Sequence, residues 1–150
     1  MPVLINQKQY LPDFICLNED WITHYFRIEA ADRELARNPA RIILDGGYIF
    51  TLLEQEQVVG VCALFKEDDN VFQLARMAVS PKSQGKGYGD ALINAAFAKL
   101  RELKASRVYL LSNTILAPAI ALYRKHGFTV LCEGQHPVYS RCNIVMEKML

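Results

Sequence analysis

The chain has 150 residues, of which 51% are hydrophobic and 22% are charged, a composition typical of a globular domain. This length suffices to bury a single core, so we expect one domain over residues 1–150. The 17 basic and 16 acidic side chains nearly cancel. No charge imbalance therefore points to nucleic acid or to an anionic membrane surface as a partner.

The four cysteines have neither the spacing of a zinc site nor that of a paired redox motif. We therefore expect reduced, buried thiols and no bound metal. The first ten residues lack the apolar core of a signal peptide, and the longest apolar run, Val58–Phe65, is too short to cross a bilayer. The sequence thus predicts a cytoplasmic protein.

The N-terminal third is predicted to be mainly helical after a short first strand at Pro2–Ile5. Leu11–Phe26 has apolar side chains at helical spacing and is predicted to form one or two helices, with a break near Asn18. Ile28–Arg37 is predicted as the next helix, and the Asn38-Pro39 pair ends it.

Three β-rich segments follow, at Tyr48–Leu53, Gln57–Phe65 and Val71–Val79. Their short polar connectors predict antiparallel hairpins, which together make a three-stranded meander. A helix over Asp90–Leu103 then separates the third strand from Val108–Leu111. A strand, a helix and a strand in this order predict a parallel crossover.

The C-terminal part continues with a helix over Ala117–His126 that Gly127 caps, followed by strands at Phe128–Cys132 and Asn143–Met149. The sum is a mixed α/β (α+β) fold. An antiparallel N-terminal meander comes first, the parallel crossover follows, and helices lie on both faces of the sheet.

A glycine-rich turn, Gln84–Gly89, lies between the third strand and the long helix. It is not a P-loop, because Gly87 directly follows Lys86, and it is not a dinucleotide fingerprint, because Asp90 stands where a glycine is required. Three glycines within five residues exceed what a tight turn alone needs. Because a helix start has unpaired N–H groups and the positive end of the helix dipole, the turn predicts a phosphate-binding loop.

Two blocks of the sequence together resemble the GCN5-related N-acetyltransferase (GNAT) family. The first is the Gln-x-x-Gly-x-Gly loop at Gln84–Gly89, after a strand that ends Met-Ala-Val-Ser-Pro. The second is Asn113 followed by Pro118–Phe128, which is similar to the family's Asn…Ala-x-x-Leu-Tyr-x-x-x-Gly-Phe element. The resemblance covers roughly residues 47–150. It implies a GNAT-like fold, acetyl-CoA as cosubstrate, and transfer of the acetyl group to an amine of a small molecule or peptide.

The resemblance also implies roles for individual residues. Tyr123 would be the general acid that protonates the CoA thiolate, and Asn113 would face the pantetheine; both would serve catalysis and cofactor binding. The alternative for Tyr123 is an amphipathic ring with its hydroxyl at the surface. Ala119 would close the pantetheine groove. The backbone would hold the rest of the coenzyme, the pantetheine arm at Met77, Ala78 and Val79 and the pyrophosphate at Gln84, Gly85, Lys86, Gly87, Tyr88 and Gly89.

One position departs from the family pattern. Gln73 stands where many members carry a glutamate that acts as general base through water, and an amide cannot take up a proton at neutral pH. Either the amine arrives neutral or the base lies elsewhere. Glu29 and His24, on the helices that wall the family's acceptor pocket, are candidates, although both could be solvated helix residues.

The segment from Tyr139 to Met146 resembles an ending found in one group of the family. Tyr139 and Arg141 are candidates for the acceptor site, with Arg141 meeting a carboxylate, or else are ordinary loop and strand residues. Together with Glu29 and Gln73 they form the predicted substrate-binding set. Homodimers are common in this family, and nothing in the sequence decides that question. An acyl-CoA-binding sensor with little or no catalysis is the alternative that Gln73 motivates.

Overall fold

The β-rich segments form one mixed sheet in the computed structural model, which describes residues 2–150. The strands are β1 (Val3–Ile5), β2 (Tyr48–Glu54), β3 (Gln57–Lys66), β4 (Val71–Val79), β5 (Arg107–Ser112), β6 (Thr129–Glu133) and β7 (Ile144–Met149). The helices are α1 (Leu11–Tyr25), α2 (Ala30–Arg37), α3 (Arg41–Leu44), α4 (Tyr88–Glu102) and α5 (Ala117–Lys125). No helix within residues 2–150 combines the length and the hydropathy that crossing a membrane requires.

The order of the strands across the sheet is β1-β2-β3-β4-β5-β7-β6 over the described part of the chain. Neighbouring strands are antiparallel, apart from β4 and β5, which run parallel. The helix α4 connects this parallel pair, because strands that run in the same direction need a long crossover. The predicted meander and crossover are confirmed, and β1 extends the antiparallel part of the sheet.

The parallel pair of β4 and β5 separates soon after it begins. Residues 71–73 of β4 are paired with residues 107–109 of β5, and no further pair joins the two strands. β4 nevertheless continues to Val79 and β5 to Ser112. Along this stretch the backbone groups that each strand turns toward the other lack a strand partner, so a cleft opens in the sheet.

Helices cover both faces of the sheet, as predicted. On one face α4 buries Leu92, Ile93 and Leu100, and α5 packs beside it through Ile120 and Leu122. On the other face, α1, α2 and α3 contribute Phe14, Leu35 and Ile42 to a smaller cluster, which Ile49, Val61 and Ala63 of the sheet complete. The sheet is therefore a buried middle layer, and the cleft between β4 and β5 is an opening within that layer.

The predicted break near Asn18 is wrong, because α1 runs without interruption from Leu11 to Tyr25. Asn18 is only 5% exposed, and its Nδ2 donates a hydrogen bond of 2.9 Å to the carbonyl of Phe14. An asparagine that bonds to the preceding helical turn can stay inside the helix. The burial of Phe14 and Ile22 on the same face outweighs its weak helix propensity.

The start of α4 and the presence of α3 differ from the prediction. α4 begins at Tyr88, two residues before the predicted start at Asp90, so Gly89 lies in the first helical turn rather than in the loop. Gly89 packs closely there, since a Cβ would stand 2.9 Å from Cδ2 of Leu122. The short α3 was not predicted, because four residues carry too little periodicity to be recognised.

Candidate active site

The glycine-rich loop presents backbone, rather than side chains, to the space in front of it. Gly85 and Gly87 have φ angles of +80° and +79°, a left-handed conformation that other residues rarely adopt. At either position a Cβ would find open space, with no heavy atom within 4 Å beyond its chain neighbours. These two glycines therefore provide the turn and leave room for a ligand to approach the main chain.

The loop leads into the N-terminus of α4, where several amides are free. The first bond of the helix runs from the Ala91 N–H to the Gly87 carbonyl, at 3.1 Å. Within residues 2–150, the N–H groups from Gly85 to Asp90 have no hydrogen-bond partner in the protein. Unpaired amides at the positive end of a helix dipole form an anion-binding site.

The side chains of Lys86 and Tyr88 both turn toward Glu54 at the end of β2. Tyr88 is 7% exposed and donates its hydroxyl hydrogen to Glu54, which raises the pKa of this phenol. The Nζ of Lys86 lies 3.7 Å from a carboxylate oxygen of Glu54, on a side chain that is half exposed. Tyr88 can therefore reach an anion in front of the loop only through its backbone, whereas Lys86 keeps a mobile charge nearby.

The cleft between β4 and β5 encloses a volume of about 100 Å³. The helices α1 and α5 and the loop between β6 and β7 complete its walls. It brings together seven of the predicted site residues, namely Gln73, Met77, Asn113, Ala119, Tyr123, Tyr139 and Arg141. Ala78 is instead buried against the α1 face of the sheet, and Val79 packs against the larger core, so only their backbone can border the cleft.

Tyr123 is held by the C-terminal cap of α5. Gly127, at φ +93°, donates its N–H to the carbonyl of Arg124, and the Phe128 N–H donates to the carbonyl of Tyr123, both at 3.0 Å. The rings of Tyr123 and Phe128 meet edge to face, with centroids 5.9 Å apart. This is a Schellman cap with its usual apolar contact. The Tyr-x-x-x-Gly-Phe spacing thus fixes the tyrosine at the wall of the cleft.

The hydroxyl of Tyr123 has no hydrogen-bond partner among residues 2–150 and borders the cleft. Burial, with a smaller effect of the nearby Cys62, raises the pKa of Tyr123 to about 12. The phenol therefore stays protonated across the physiological range and has a proton to donate. It can act as an acid and cannot act as a base at neutral pH.

Asn113, at the end of β5, organises the loop on the acceptor side. Its Nδ2 donates to the carbonyl of Arg141 at 2.7 Å, and its Oδ1 accepts the N–H of Ile115 at 3.0 Å. Both ends of the amide are therefore engaged within the protein. Asn113 lines the cleft while it ties the segment after β5 to the loop before β7.

Gln73 lies where β4 and β5 begin to separate, and it lines the cleft. The hydroxyl of Tyr109, on β5, lies 3.5 Å from Oε1 of Gln73 and donates a shorter bond of 2.5 Å to Glu67. Burial, followed by the hydrogen bond to Glu67, raises the pKa of Tyr109 far above its ordinary value. Gln73 is thus a neutral amide beside a neutral phenol.

An ion-pair network closes the acceptor side of the cleft. Asp32, at 2% side-chain exposure, accepts hydrogen bonds of 2.6 Å from Arg76 and of 2.6 and 2.7 Å from Arg141. Arg76 also donates to the hydroxyl of Tyr139 at 2.8 Å, and the guanidinium of Arg141 lies 4.7 Å from the centre of the same ring. Burial acts to raise the pKa of Asp32, but the bonds and charges of the two arginines hold it below its usual range.

Three of the predicted substrate-binding residues, Glu29, Tyr139 and Arg141, have partners inside this network. Glu29 accepts hydrogen bonds from the N–H and the hydroxyl of Ser140, and it pairs with Arg141 at 3.0 Å. Burial acts to raise the pKa of Glu29, but the Ser140 bonds and the Arg141 charge lower it overall. Glu29 is therefore a poor general base. Within the protein, the carboxylates that Arg141 meets are those of Glu29 and Asp32.

Sequence reasoning missed Arg76 and Asp32. Arg76 has φ +57° at the bulge where β4 changes register against β3, and no glycine or proline announces that bulge. Asp32 stands three residues after Glu29, and each side chain bonds the other's backbone at the start of α2. This capping-box spacing was the one available signal, and it indicates a helix start rather than a site.

The histidines lie away from the cleft lining. His24 is exposed on α1 and packs edge to face on Tyr25. His126 lies 2.7 Å from Asp90, and His136 accepts N–H groups of its own loop at Nδ1. Among residues 2–150, no three acidic, histidine or cysteine side chains are grouped so that they could hold a metal ion.

Comparison with known proteins assigns this arrangement to a family. The family model described as acetyltransferase (GNAT) family matches residues 13–128, and the chain therefore belongs to that family of acetyltransferases. An uncharacterised N-acetyltransferase of Bacillus subtilis strain 168, YvbK, is 26% identical over 106 residues, a match that covers 68% of each chain.

Solved structures agree on the fold. The chain resembles a GNAT-family acetyltransferase from Staphylococcus aureus Mu50 with a TM-score of 0.86 at 18% identity, over 99% of both chains. It also resembles a phosphinothricin acetyltransferase from Sinorhizobium meliloti, determined in complex with acetyl-CoA. Here the TM-score is 0.80 at 16% identity, over 99% of this chain and 88% of the other.

Proposed function

We propose that this protein transfers an acetyl group from acetyl-CoA to a primary amine by direct attack in a ternary complex. The proposal is carried by the N–H groups from Gly85 to Asp90, which are free within residues 2–150 and follow β4, the strand that borders the β4–β5 cleft. A diphosphate fits the row of free amides, and an extended, amide-bearing arm fits the cleft. Coenzyme A has both chemical features in one molecule, and a structural relative was determined with acetyl-CoA bound.

In this proposal the coenzyme lies along the backbone of the cleft. The amides of the pantetheine arm pair with main-chain groups of Met77, Ala78 and Val79, in the way that an added strand pairs with a sheet edge. The pyrophosphate accepts hydrogen bonds from the loop amides between Gln84 and Gly89. Ala119, near the start of α5, borders the arm on the opposite side.

The chemical step needs an electrophile, an acid and a leaving group in the cleft. A backbone N–H of the Met77–Val79 segment polarises the thioester carbonyl, and the amine nitrogen attacks its carbon. As the carbon–sulfur bond breaks, Tyr123 gives its proton to the departing thiolate. The same burial that raises the pKa of Tyr123 also disfavours a free thiolate in the cleft, so the departing sulfur needs a proton there.

Asn113 has a supporting role in this scheme. Because its amide bonds both Ile115 and the carbonyl of Arg141, it fixes the wall that faces the thioester and holds the acceptor loop in place. Gln73, Tyr139 and Arg141 line the acceptor end of the cleft, and Glu29 pairs with Arg141.

The experiment combines the wild type with Tyr123→Phe and follows thiol release from acetyl-CoA in the presence of an amine panel. We expect turnover by the wild type and a loss of about 100-fold or more in kcat for the variant, with acetyl-CoA affinity retained. Because Phe keeps the edge-to-face contact with Phe128, the cap of α5 should survive. An unchanged kcat would remove Tyr123 from the mechanism.

A catalytically weak acyl-CoA sensor is the second candidate, and Gln73 favours it. A protein that binds the coenzyme but lacks a base at this position could use binding alone as its output. Acetyl-CoA binding by calorimetry, without thiol release for any amine in the panel, would support the sensor and contradict the transferase.

A further inference from the structure

The charged and titratable side chains that line the acceptor end of the cleft share one property. Within residues 2–150 this set consists of Arg76, Tyr123, Tyr139, Arg141 and Cys142. No side chain of the set is a base at neutral pH. The arginines are permanently cationic, and a phenol or a buried thiol is neutral. Cys142 is 8% exposed, and burial is the main cause that raises the pKa of its thiol.

The carboxylates behind this lining are engaged elsewhere. Asp32 accepts from both arginines, and Glu29 accepts from Ser140 and Arg141. Glu67 accepts the Tyr109 hydroxyl, and the amide of Gln73 lies between that pair and the cleft. An amide side chain does not relay a proton at neutral pH, so Glu67 has no proton path into the cleft through Gln73.

The walls of the same region are apolar. Trp21, Ile22 and Phe26 line it from the end of α1, and Phe65 lines it from the end of β3. An ammonium ion that enters such a space loses hydration, and the positive charges of Arg76 and Arg141 add no attraction for it. The cleft therefore admits the neutral form of an amine more readily than the charged form.

From this geometry we propose that the acceptor is a weakly basic primary amine of the α-amino type, which enters the cleft uncharged without an enzyme base. This inference rests on the proposed acetyl transfer and names the substrate class. It excludes strongly basic amines, such as lysine side chains and polyamines, as preferred acceptors.

The reaction balances without an external base. The nitrogen lone pair attacks the thioester carbon, a carbon–nitrogen bond forms, and the carbon–sulfur bond breaks with its electron pair on sulfur. Tyr123 gives its proton to sulfur, and the surplus proton of the new amide nitrogen returns to the phenolate of Tyr123. A neutral amine and acetyl-CoA thus become an amide and the free thiol, with no net proton exchanged.

The test compares leucinamide with 3-methylbutylamine, which has the same apolar body and lacks the carboxamide. At pH 7 about 14% of an α-amine with a pKa near 7.8 is neutral, against about 0.04% of an alkylamine with a pKa near 10.4. The stronger base is also the better nucleophile, which offsets part of this difference. We expect kcat/KM for leucinamide to be at least ~10-fold higher at pH 7.

The pH profile separates a substrate group from an enzyme group. The inference predicts that kcat/KM rises to the pKa of whichever amine is used, near 8 for leucinamide and above 10 for the alkylamine. A rise between pH 6 and 7 that stays fixed when the amine changes would reveal an enzyme base and overturn the inference. Turnover confined to polyamines or lysine peptides would overturn it as well.

A single substitution should shift the preference. Gln73→Glu places a carboxylate at the wall of the cleft, where it can take a proton from an ammonium. We expect Gln73→Glu to narrow the ratio of kcat/KM for leucinamide to kcat/KM for 3-methylbutylamine by about 10-fold. This change is smaller than the rate enhancement that a general base usually supplies. Gln73→Met is the matched control and should not narrow this ratio, because it adds no base. A ratio that Gln73→Glu does not alter counts against the inference.

The failures of the two proposals are distinguishable. If acetyl-CoA does not bind, or binds without thiol release for any amine, the acetyl transfer itself is contradicted. If thiol is released and the alkylamine is the better acceptor at pH 7, acetyl transfer stands and only the substrate class is wrong.

Discussion

Asp32→Asn tests the ion-pair network that closes the acceptor side of the cleft. The carboxylate is 2% exposed and lies 2.6 Å from both Arg76 and Arg141. Asparagine keeps the shape but removes the charge, and it turns an NH₂ group toward guanidinium donors. Removing one partner of a buried ion pair costs about 3–5 kcal/mol. Because Glu29 still pairs with Arg141, we expect the unfolding free energy to fall by about 3 kcal/mol, the lower end of this range.

The loss can be measured by urea unfolding, with the fluorescence of Trp21, the single tryptophan of the sequence, as the signal. For a domain of this size, 3 kcal/mol corresponds to a melting temperature lower by roughly 6–12 °C. Asp69→Asn is the control, because Asp69 pairs with Lys66 at 93% exposure and should matter by less than ~0.5 kcal/mol. A loss below ~1 kcal/mol for Asp32→Asn would show that the buried ion pairs of Asp32 do not stabilise the fold.

Acidification of the wild type should remove the stabilisation that the ionised Asp32 provides. The pKa of Asp32 is held below its ordinary 3.8 in the folded protein, so the unfolded chain binds a proton first as the pH falls. The contribution is complete above about pH 5 and declines below it. The difference in unfolding free energy between the wild type and Asp32→Asn should therefore shrink from pH 6 to pH 3. A difference that stays constant would show that the charge of Asp32 is not its source.

Two glycine substitutions test the loop and the cap. Gly87→Glu places a carboxylate where a phosphate should bind and is expected to abolish acetyl-CoA binding by calorimetry. Gly134→Glu, at another open positive-φ glycine, should leave affinity intact, and equal affinities would contradict the loop assignment. Gly127→Ala forces a side chain into φ +93° and should lower the unfolding free energy by about 1–2 kcal/mol, measured by urea unfolding. A loss under ~0.5 kcal/mol would show that the cap does not need glycine.

Local pattern was sufficient to predict the strands, the crossover and the loop. Apolar runs broken by short polar connectors predicted β2, β3 and β4, because those strands are each other's neighbours in sequence and in space. The glycines at 85 and 87 predicted a turn for the same local reason, and both have left-handed φ angles in the structure. The strands and the loop each depend on residues within a few positions of one another, and the crossover follows from the order of a strand, a helix and a strand.

The acceptor side could not be predicted in this way, because its contacts join distant parts of the chain. Asp32 and Arg141 are 109 residues apart, and Asp32 and Arg76 are 44 apart. No local period encodes such pairs, and the left-handed φ of Arg76 has no sequence signal. Similarly, Asn18 was predicted to break α1 because its weak helix propensity can be read from the sequence, whereas its burial depends on the fold.

The central claim is that the amides from Gly85 to Asp90 hold the diphosphate of acetyl-CoA. Amide chemical shifts of the labelled protein, followed during titration with acetyl-CoA and separately with S-acetylpantetheine, test it most directly. The claim predicts that both ligands shift amides of β4 along the cleft, and that only acetyl-CoA shifts those of the loop. Loop amides that stay in place at saturating acetyl-CoA would contradict it.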